Sequence, residues 1–339
     1  MKTTLTPLMV VQPAFGDRWS WFDRFCLWYP PAWLILFNRH WQHYHDDPDG
    51  WNWLEYALFL VPAGFYVALL IRWLRLGCRS PRPSDQPVDL QYQQAFRDEI
   101  LVPIVDRYFR AELHQAENLP AAGSILVTLN HAGMCFPWDF IALGVLLGRE
   151  RDWTVQPVAH ELFFDHPWLR WWLPSGWSQV LGGVRAEREP FAEAIATLAD
   201  TPNQALLYAP EGWRGLAKGW RHRYQLTTFD PSFVRLCDRH QVPILPTICI
   251  GSENLHPFTV NLAKLGRWLK LPLFPISPLV VAFVLFPSLG VWAVRSRLHY
   301  FIQPIERLDQ DSFQSTSDAY AWAQRLRSKL QAAIDRLRQ

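Results

Sequence analysis

Two short clusters carry residue types that do chemistry. Asn130-His131-Ala132-Gly133-Met134-Cys135-Phe136-Pro137-Trp138-Asp139 places a histidine ahead of Asp139, the sole acid between His131 and Glu150. A neutral imidazole takes a proton from an alcohol near neutral pH, and a carboxylate on its other nitrogen fixes the tautomer. This is serine-triad logic with a substrate hydroxyl in place of the protein's serine. The plain alternative is a loop histidine and a helix N-terminal aspartate that do not touch, and the spacing alone favours it. The second cluster is Ala209-Pro210-Glu211-Gly212-Trp213-Arg214, followed by Gly215, Lys218, Arg221 and Arg223. Cations on a glycine-containing turn suit a phosphate, or form a solvated charged turn. No Gly-Lys-Ser/Thr follows, so this is not a nucleotide P-loop. The absence of Gly-x-Ser-x-Gly disfavours a serine hydrolase.

The elements that must position these clusters are legible in the apolar periodicity. Ser124–Leu129, Trp153–Val158, Ala205–Tyr208, Ile244–Ile250 and Leu298–Ile302 read as short buried strands. Leu90 to Tyr108, Phe140–Leu147, Phe191–Leu198 and Ser232–Arg239 read as helices between them. Ala319, Trp322, Ala323, Leu326, Leu330, Ala333, Ile334 and Leu337 form the stripe of a C-terminal amphipathic helix. Such alternation predicts an α/β fold, a mostly parallel central sheet flanked by helices. Both clusters, and Gly251–Asn254, follow strand-like runs, at the carboxyl ends where open α/β sheets gather ligands.

Composition narrows the function. Half of the 339 residues are hydrophobic, which excludes a disordered chain. The net charge of +2 supplies no global basic field for nucleic acid. Nineteen tryptophans, with 21 Phe and 10 Tyr, lean toward a protein working against lipid, although a large aromatic core has the same counts. The five scattered cysteines have no CxxC spacing, so neither a zinc site nor a disulfide framework is expected, and a reducing compartment fits. Met1–Gln12 does not read as a cleaved signal peptide.

Residues 1–79 are expected to be a Trp-rich membrane-anchoring region, 80–88 a Pro-rich linker and 89–339 the catalytic domain. Phe25–Phe37 is uncharged but too short to span and reads as interfacial or re-entrant. Tyr56–Ile71 is a marginal transmembrane helix, and Arg72, Arg75, Arg79 and Arg82 after it would put the remaining chain in the cytoplasm. The prolines of the apolar run 271–294 argue for a shallow membrane-contact loop instead of a crossing. His40, His43, His45, Asp46 and Asp47 resemble metal ligands but read more simply as a solvated loop.

Taken together and in order, the motifs resemble the phospholipid/glycerol acyltransferase family, the lysophosphatidate acyltransferase superfamily. The resemblance rests on Asn130-His131…Asp139, Gly182–Arg188, Pro210-Glu211-Gly212-Trp213-Arg214 and Val242-Pro243-Ile244-Leu245-Pro246, and covers roughly residues 122–306. It implies transfer of a fatty acyl group from acyl-CoA or acyl carrier protein to a hydroxyl of a membrane glycerolipid, of the 1-acylglycerol-3-phosphate type. His131 would be the general base and Asp139 its orienting acid. Arg188, Glu211, Gly212, Arg214 and Lys218 would bind substrate, and Arg188 is preferred to Arg185 as the second motif's arginine. No metal or cofactor is implied; the partners are the lipid acceptor, the acyl donor and the bilayer. This sequence departs from the family pattern twice. Seven residues separate His131 from Asp139 where the family has four, as in branches that acylate neutral acceptors such as diacylglycerol, and Trp213 replaces a threonine. Two other readings therefore stand beside the first: a neutral acceptor (diacylglycerol, fatty alcohol or quinol) and a non-catalytic lipid-binding scaffold.

Overall fold

The computed structural model describes residues 19–82, 88–131, 133, 136–165, 169–174, 177–268, 274–308, 313 and 315–338. Met1–Gln12, most of the expected linker and residues 271–273 lie outside that set.

In chain order the strands are β1 (Glu112–His114), β2 (Ile125–Leu129), β3 (Thr154–Ala159), β4 (Val184–Arg185), β5 (Gln204–Tyr208), β6 (Ile244–Ile250), β7 (Val260–Asn261), β8 (Pro275–Ile276) and β9 (His299–Ile302). Seven form one sheet in the order β1-β9-β6-β2-β5-β3-β4, and β7 and β8 pair separately. Every neighbour in the large sheet is parallel except β6 and β9. This agrees with the α/β, mostly parallel sheet expected. β2 is buried along its whole length, as a central strand covered on both faces must be.

Successive side chains of these strands feed two cores. Ile125, Val127, Leu129, Ala205, Leu207 and Leu245 join a core that includes the N-terminal helices. Leu126, Leu206, Ile244 and Ile248 join a second core beneath the C-terminal helix. The helices are α1 (Trp21–Trp28), α2 (Trp33–Tyr44), α3 (Trp53–Phe59), α4 (Gly64–Arg75), α5 (Leu90–Phe96), α6 (Trp138–Arg151), α7 (Leu162–Asp165), α8 (Leu169–Trp172), α9 (Trp177–Val180), α10 (Arg188–Asp200), α11 (Gly212–Leu216), α12 (Ser232–His240), α13 (Ala263–Trp268), α14 (Val280–Leu285) and α15 (Thr316–Leu337). α5 continues through π-helical turns at Arg97–Leu101 and Ile104–Phe109. Tyr92, Phe96, Ile100 and Ile104, all buried, recur every four residues. A strict repeat of four overruns a 3.6-residue turn, and the wider π turns bring the stripe back to one face.

The N-terminal expectations need correction. Tyr56–Ile71 is not one helix: it divides between α3 and α4 at a corner where Ala63 has φ 59°. Among the described residues no helix is long and apolar enough to cross a membrane. Phe25–Phe37 is not interfacial throughout, because Ala32 to Phe37 are core. Trp33 packs edge-on to Trp138 at 4.9 Å between ring centroids and donates its indole N–H to Leu27 O. The four arginines that follow are engaged within the fold. Arg72 is buried over Trp51 and donates to the carbonyls of Asp49 and Trp171. Arg75 pairs with Glu55, while Arg79 and Arg82 meet Asp49. The His40–Asp47 stretch is likewise not a solvated loop. It ends α2, and His40 and Tyr44 both bond Glu99 while His45 meets Asp89.

Candidate active site

The site lies at the carboxyl ends of β2, β5 and β6. Just past β2, Asn130 uses its amide as if it were backbone. Its Nδ2 donates to Cys249 O at 3.1 Å, and its Oδ1 accepts Cys249 N–H at 2.7 Å. The next N–H, that of His131, donates to Glu211 Oε1 at 3.0 Å. Glu211, buried after β5, also takes Lys218 Nζ on both oxygens (3.1 and 3.0 Å) and Thr227 N–H on Oε2 at 2.7 Å. Lys218 is buried as well and gives a further hydrogen to Gln225 O at 3.0 Å. This carboxylate therefore joins the histidine loop, α11 and the segment after it. Two glycines allow the approach. A Cβ on Gly215 would lie 2.9 Å from that of His131, and one on Gly133, at φ +106°, would lie 2.6 Å from Lys218 O.

His131 is half-buried as a residue; its ring packs on Phe140 at 5.1 Å between centroids and lines a cavity of about 820 Å³. Enclosure by protein pulls its pKa down to about 4, against the pull of the Glu211 charge and with the push of Lys218. The imidazole is thus neutral at physiological pH. Among the described residues its Nδ1 has no hydrogen-bond partner. From His131, Phe136 and Phe140 the cavity follows α6 past Ile141, Gly144, Val145 and Gly148, about 12 Å from residue 140 to 148 by helix rise. Val155, Pro157 and Ala159 of β3, with Phe37, Phe96, Trp153 and Trp177, make most of the remaining wall apolar, and Arg97, Asp152 and Arg170 also line it.

Asp139 is fully buried in the first turn of α6. Its Oδ1 accepts Phe140 N–H at 3.0 Å, and its carbonyl accepts the hydroxyl of Tyr300 at 2.6 Å. Asp139 directly precedes Phe140, whose ring packs on His131, and among the described residues no hydrogen bond joins the two side chains.

Residues 110–250 match the family model described as Acyltransferase. This segment belongs to the acyltransferase family. An uncharacterized protein of Mycobacterium tuberculosis H37Rv is 34% identical over 185 residues, covering 51% of this chain and 46% of that one. An uncharacterized protein of Mycobacterium leprae TN is 31% identical over 185 residues, covering 51% and 45%. The chain thus spans about half the length of these relatives. A solved 1-acyl-sn-glycerophosphate acyltransferase, PlsC from Thermotoga maritima, aligns over 90% of this chain and 95% of its own at 15% identity and a TM-score of 0.44.

Within the acyltransferase domain the remaining expected residues divide. Gly212, at φ +52°, opens α11 on the cavity wall. Arg214 on the same helix is exposed and is not part of that wall, and neither is Arg188, exposed at the start of α10. Arg185, on β4, lies 4.8 Å over the Phe164 ring, which does line the cavity. Lys218 is engaged by Glu211 and stands in the frame of the site. Sequence reasoning missed Phe140, His160 and Glu253. His160 packs on Trp213 at 4.8 Å, and both line the cavity. Glu253, just past β6, is buried, and burial raises its pKa to about 7. The position of His160 after β3 was the available signal for it, and Glu253 lies in the Gly251–Asn254 stretch that follows β6; nothing in the chain marks Phe140.

Proposed function

We propose that this chain moves a fatty acyl group from a thioester, on coenzyme A or acyl carrier protein, to a glycerolipid hydroxyl at a membrane surface. The observation that carries the reading is a neutral imidazole on the wall of a long apolar cavity. His131 takes the proton of the acceptor hydroxyl as that oxygen attacks the thioester carbonyl. Collapse of the tetrahedral intermediate expels the thiolate, which takes the proton back from the imidazolium and leaves as the free thiol carrier. The low proton affinity of His131 keeps it in the basic form before each turnover. Asp139 is the acid within the same loop and helix start that orients the ring once substrate tightens them, since catalytic hydrogen bonds are often loose without substrate. The acyl chain lies along α6, and no metal or cofactor takes part in the proposed steps.

A 1-acylglycerol 3-phosphate is the first acceptor to test, with Arg214 at the rim for its phosphate. A neutral hydroxyl acceptor is favoured by two observations: Lys218 is already paired inside the frame, and Trp213 occupies the wall beside His160. Attachment to a membrane surface belongs to the same proposal. It rests on exposed Trp21, Trp28, Trp53, Leu70, Val281 and Val284. The α3–α4 corner meets α14 there through Ala63 N–H on Leu285 O and the Tyr66 hydroxyl on Val284 O. Such a patch suits shallow insertion among headgroups.

The test is transfer of labelled acyl donor in vesicles holding either acceptor. His131→Ala is expected to lower the rate by roughly 10²–10⁴ with vesicle binding kept. Activity within a few-fold of wild type discards the base assignment, and absence of product from the unaltered chain with both acceptors leaves the scaffold reading.

A further inference from the structure

On the sheet edge opposite β4, residues that no step above uses come together. β1 and β9 run parallel with Glu112 beside His299 and His114 beside Phe301. The intervening Leu113 and Tyr300 point to the other face, where Tyr300 is buried. That leaves Glu112, His114 and His299 on one face, partly open to solvent. His114 Nε2 lies 3.1 Å from His299 Nδ1, His114 Nε2 lies 3.8 Å from Glu112 Oε2, and His299 Nδ1 lies 3.4 Å from the same oxygen.

We infer that Glu112, His114 and His299 form a binding site for a divalent first-row transition metal ion such as zinc. Ligand atoms about 2.0–2.1 Å from a tetrahedral zinc lie about 3.3–3.4 Å from one another, and the three separations here bracket that edge. Two imidazole nitrogens and one carboxylate oxygen suit zinc and its neighbours, whereas calcium and magnesium prefer sets made of oxygen. The alternative use of the triangle is a hydrogen bond between the imidazoles. It brings two nitrogens and a carboxylate to one point and satisfies only one nitrogen–nitrogen contact with one proton. A cation takes the place of that hydrogen, which moves through solvent to the other nitrogen of the same ring, and engages all three lone pairs. The site is also prepared: Phe301 stacks on the His114 ring at 4.6 Å between centroids and 15° between planes, which fixes the plane of its lone pair. The partial exposure of both histidines leaves the fourth position open to water and gives the ion a path in. The bound ion clamps the three-residue edge strand β1 to β9, the strand whose Tyr300 holds the start of α6.

The experiment uses the purified full chain, stripped with chelator and titrated with zinc, then with cobalt(II) as an optical probe. One equivalent is expected to bind, with visible cobalt bands of a four- or five-coordinate site. His114→Gln and His299→Gln should each weaken zinc binding by about 100-fold or more, since loss of even an outer-shell partner typically costs about 10–100-fold. Zinc affinity unchanged in both variants overturns the assignment. So does the absence of cobalt bands from the wild-type protein, a measurement that needs no variant to fold. Displacement of zinc by millimolar magnesium overturns it as well.

Discussion

Glu211 is the residue whose role the geometry changes most, and its replacement makes the sharpest prediction. The family resemblance gives this carboxylate to the substrate, whereas in the structure four donor contacts already occupy it: His131 N–H, Thr227 N–H and Lys218 Nζ on both oxygens. Glu211→Gln keeps the shape and removes the charge. It leaves the Lys218 ammonium, itself buried, with Gln225 O as its other partner. Removing one partner of a buried ion pair typically costs about 3–5 kcal/mol, and the exposure of both side chains is too small for solvent to offset that loss. Lys218→Met leaves the opposite charge buried and should cost a similar amount, softened by the two N–H groups that still hold Glu211. Together the two changes remove both charges, so the double variant should lose about 2 kcal/mol less than the sum of the singles. Urea unfolding at pH 7 measures all three, with acyl transfer followed alongside. If Glu211 is a frame residue, transfer falls in step with stability and the acceptor KM of the surviving folded fraction is unchanged. Additivity within about 0.5 kcal/mol, or a rise in acceptor KM at unaltered stability, refutes the frame and returns Glu211 to the substrate.

Gly144 faces the cavity with an added Cβ only 3.6 Å from Leu207 and Val155. Gly144→Leu should therefore fit and shorten the cavity, lowering kcat/KM for long acyl donors by about tenfold for every two methylenes displaced while short donors are kept; equal losses for all lengths would remove the acyl chain from α6. Stability should respond to pH in two opposed ways. Burial lowers His131 and His256 to about 4 from 6.5, so their unfolded forms bind more protons between those values, and stability present above pH 6.5 is lost as pH falls toward 4. Burial raises Glu253 from 4.5 to about 7, so its contribution is whole below pH 4.5 and lost as pH rises through 7; Glu253→Gln should recover on the order of 3 kcal/mol at pH 8, and denaturant unfolding that shows no gain there would contradict the burial argument. Trp53→Glu with Leu70→Glu should weaken binding to anionic vesicles by at least tenfold in sedimentation with the fold retained, and unchanged binding would place the membrane face elsewhere.

What the chain disclosed about itself follows from burial. Ile125–Leu129, Gln204–Tyr208 and Ile244–Ile250 are covered on both sides, so their apolar runs stand out and their predicted bounds differ from the observed ones by a residue at most. β1 was not seen, because a three-residue edge strand carrying Glu112 and His114 has no apolar signature. Tyr56–Ile71 and Phe25–Phe37 differ from expectation for a related reason. A helix buried among other helices, such as Trp33–Phe37, and one facing lipid are equally greasy in sequence. The arginines that imitate a membrane flank are satisfied by Asp49 and Glu55, acids lying in a loop and at a helix start ahead of them. At the site, types and positions were readable but partners were not. His131 and Glu211 come together through a backbone N–H, which no side-chain pattern encodes, and Lys218 reads as an available cation until its carboxylate is found.

The amide of Asn130 does the work of main chain. By exchanging both of its hydrogen-bonding groups with the main chain of Cys249, it serves as a false peptide unit, prolonging the ladder by one rung where the real backbone has already turned away toward the imidazole. An aspartate there would keep the acceptor and forfeit the donor, setting a negative oxygen against the carbonyl of Cys249. The rung would open, and the histidine loop would lose the hard edge from which it departs.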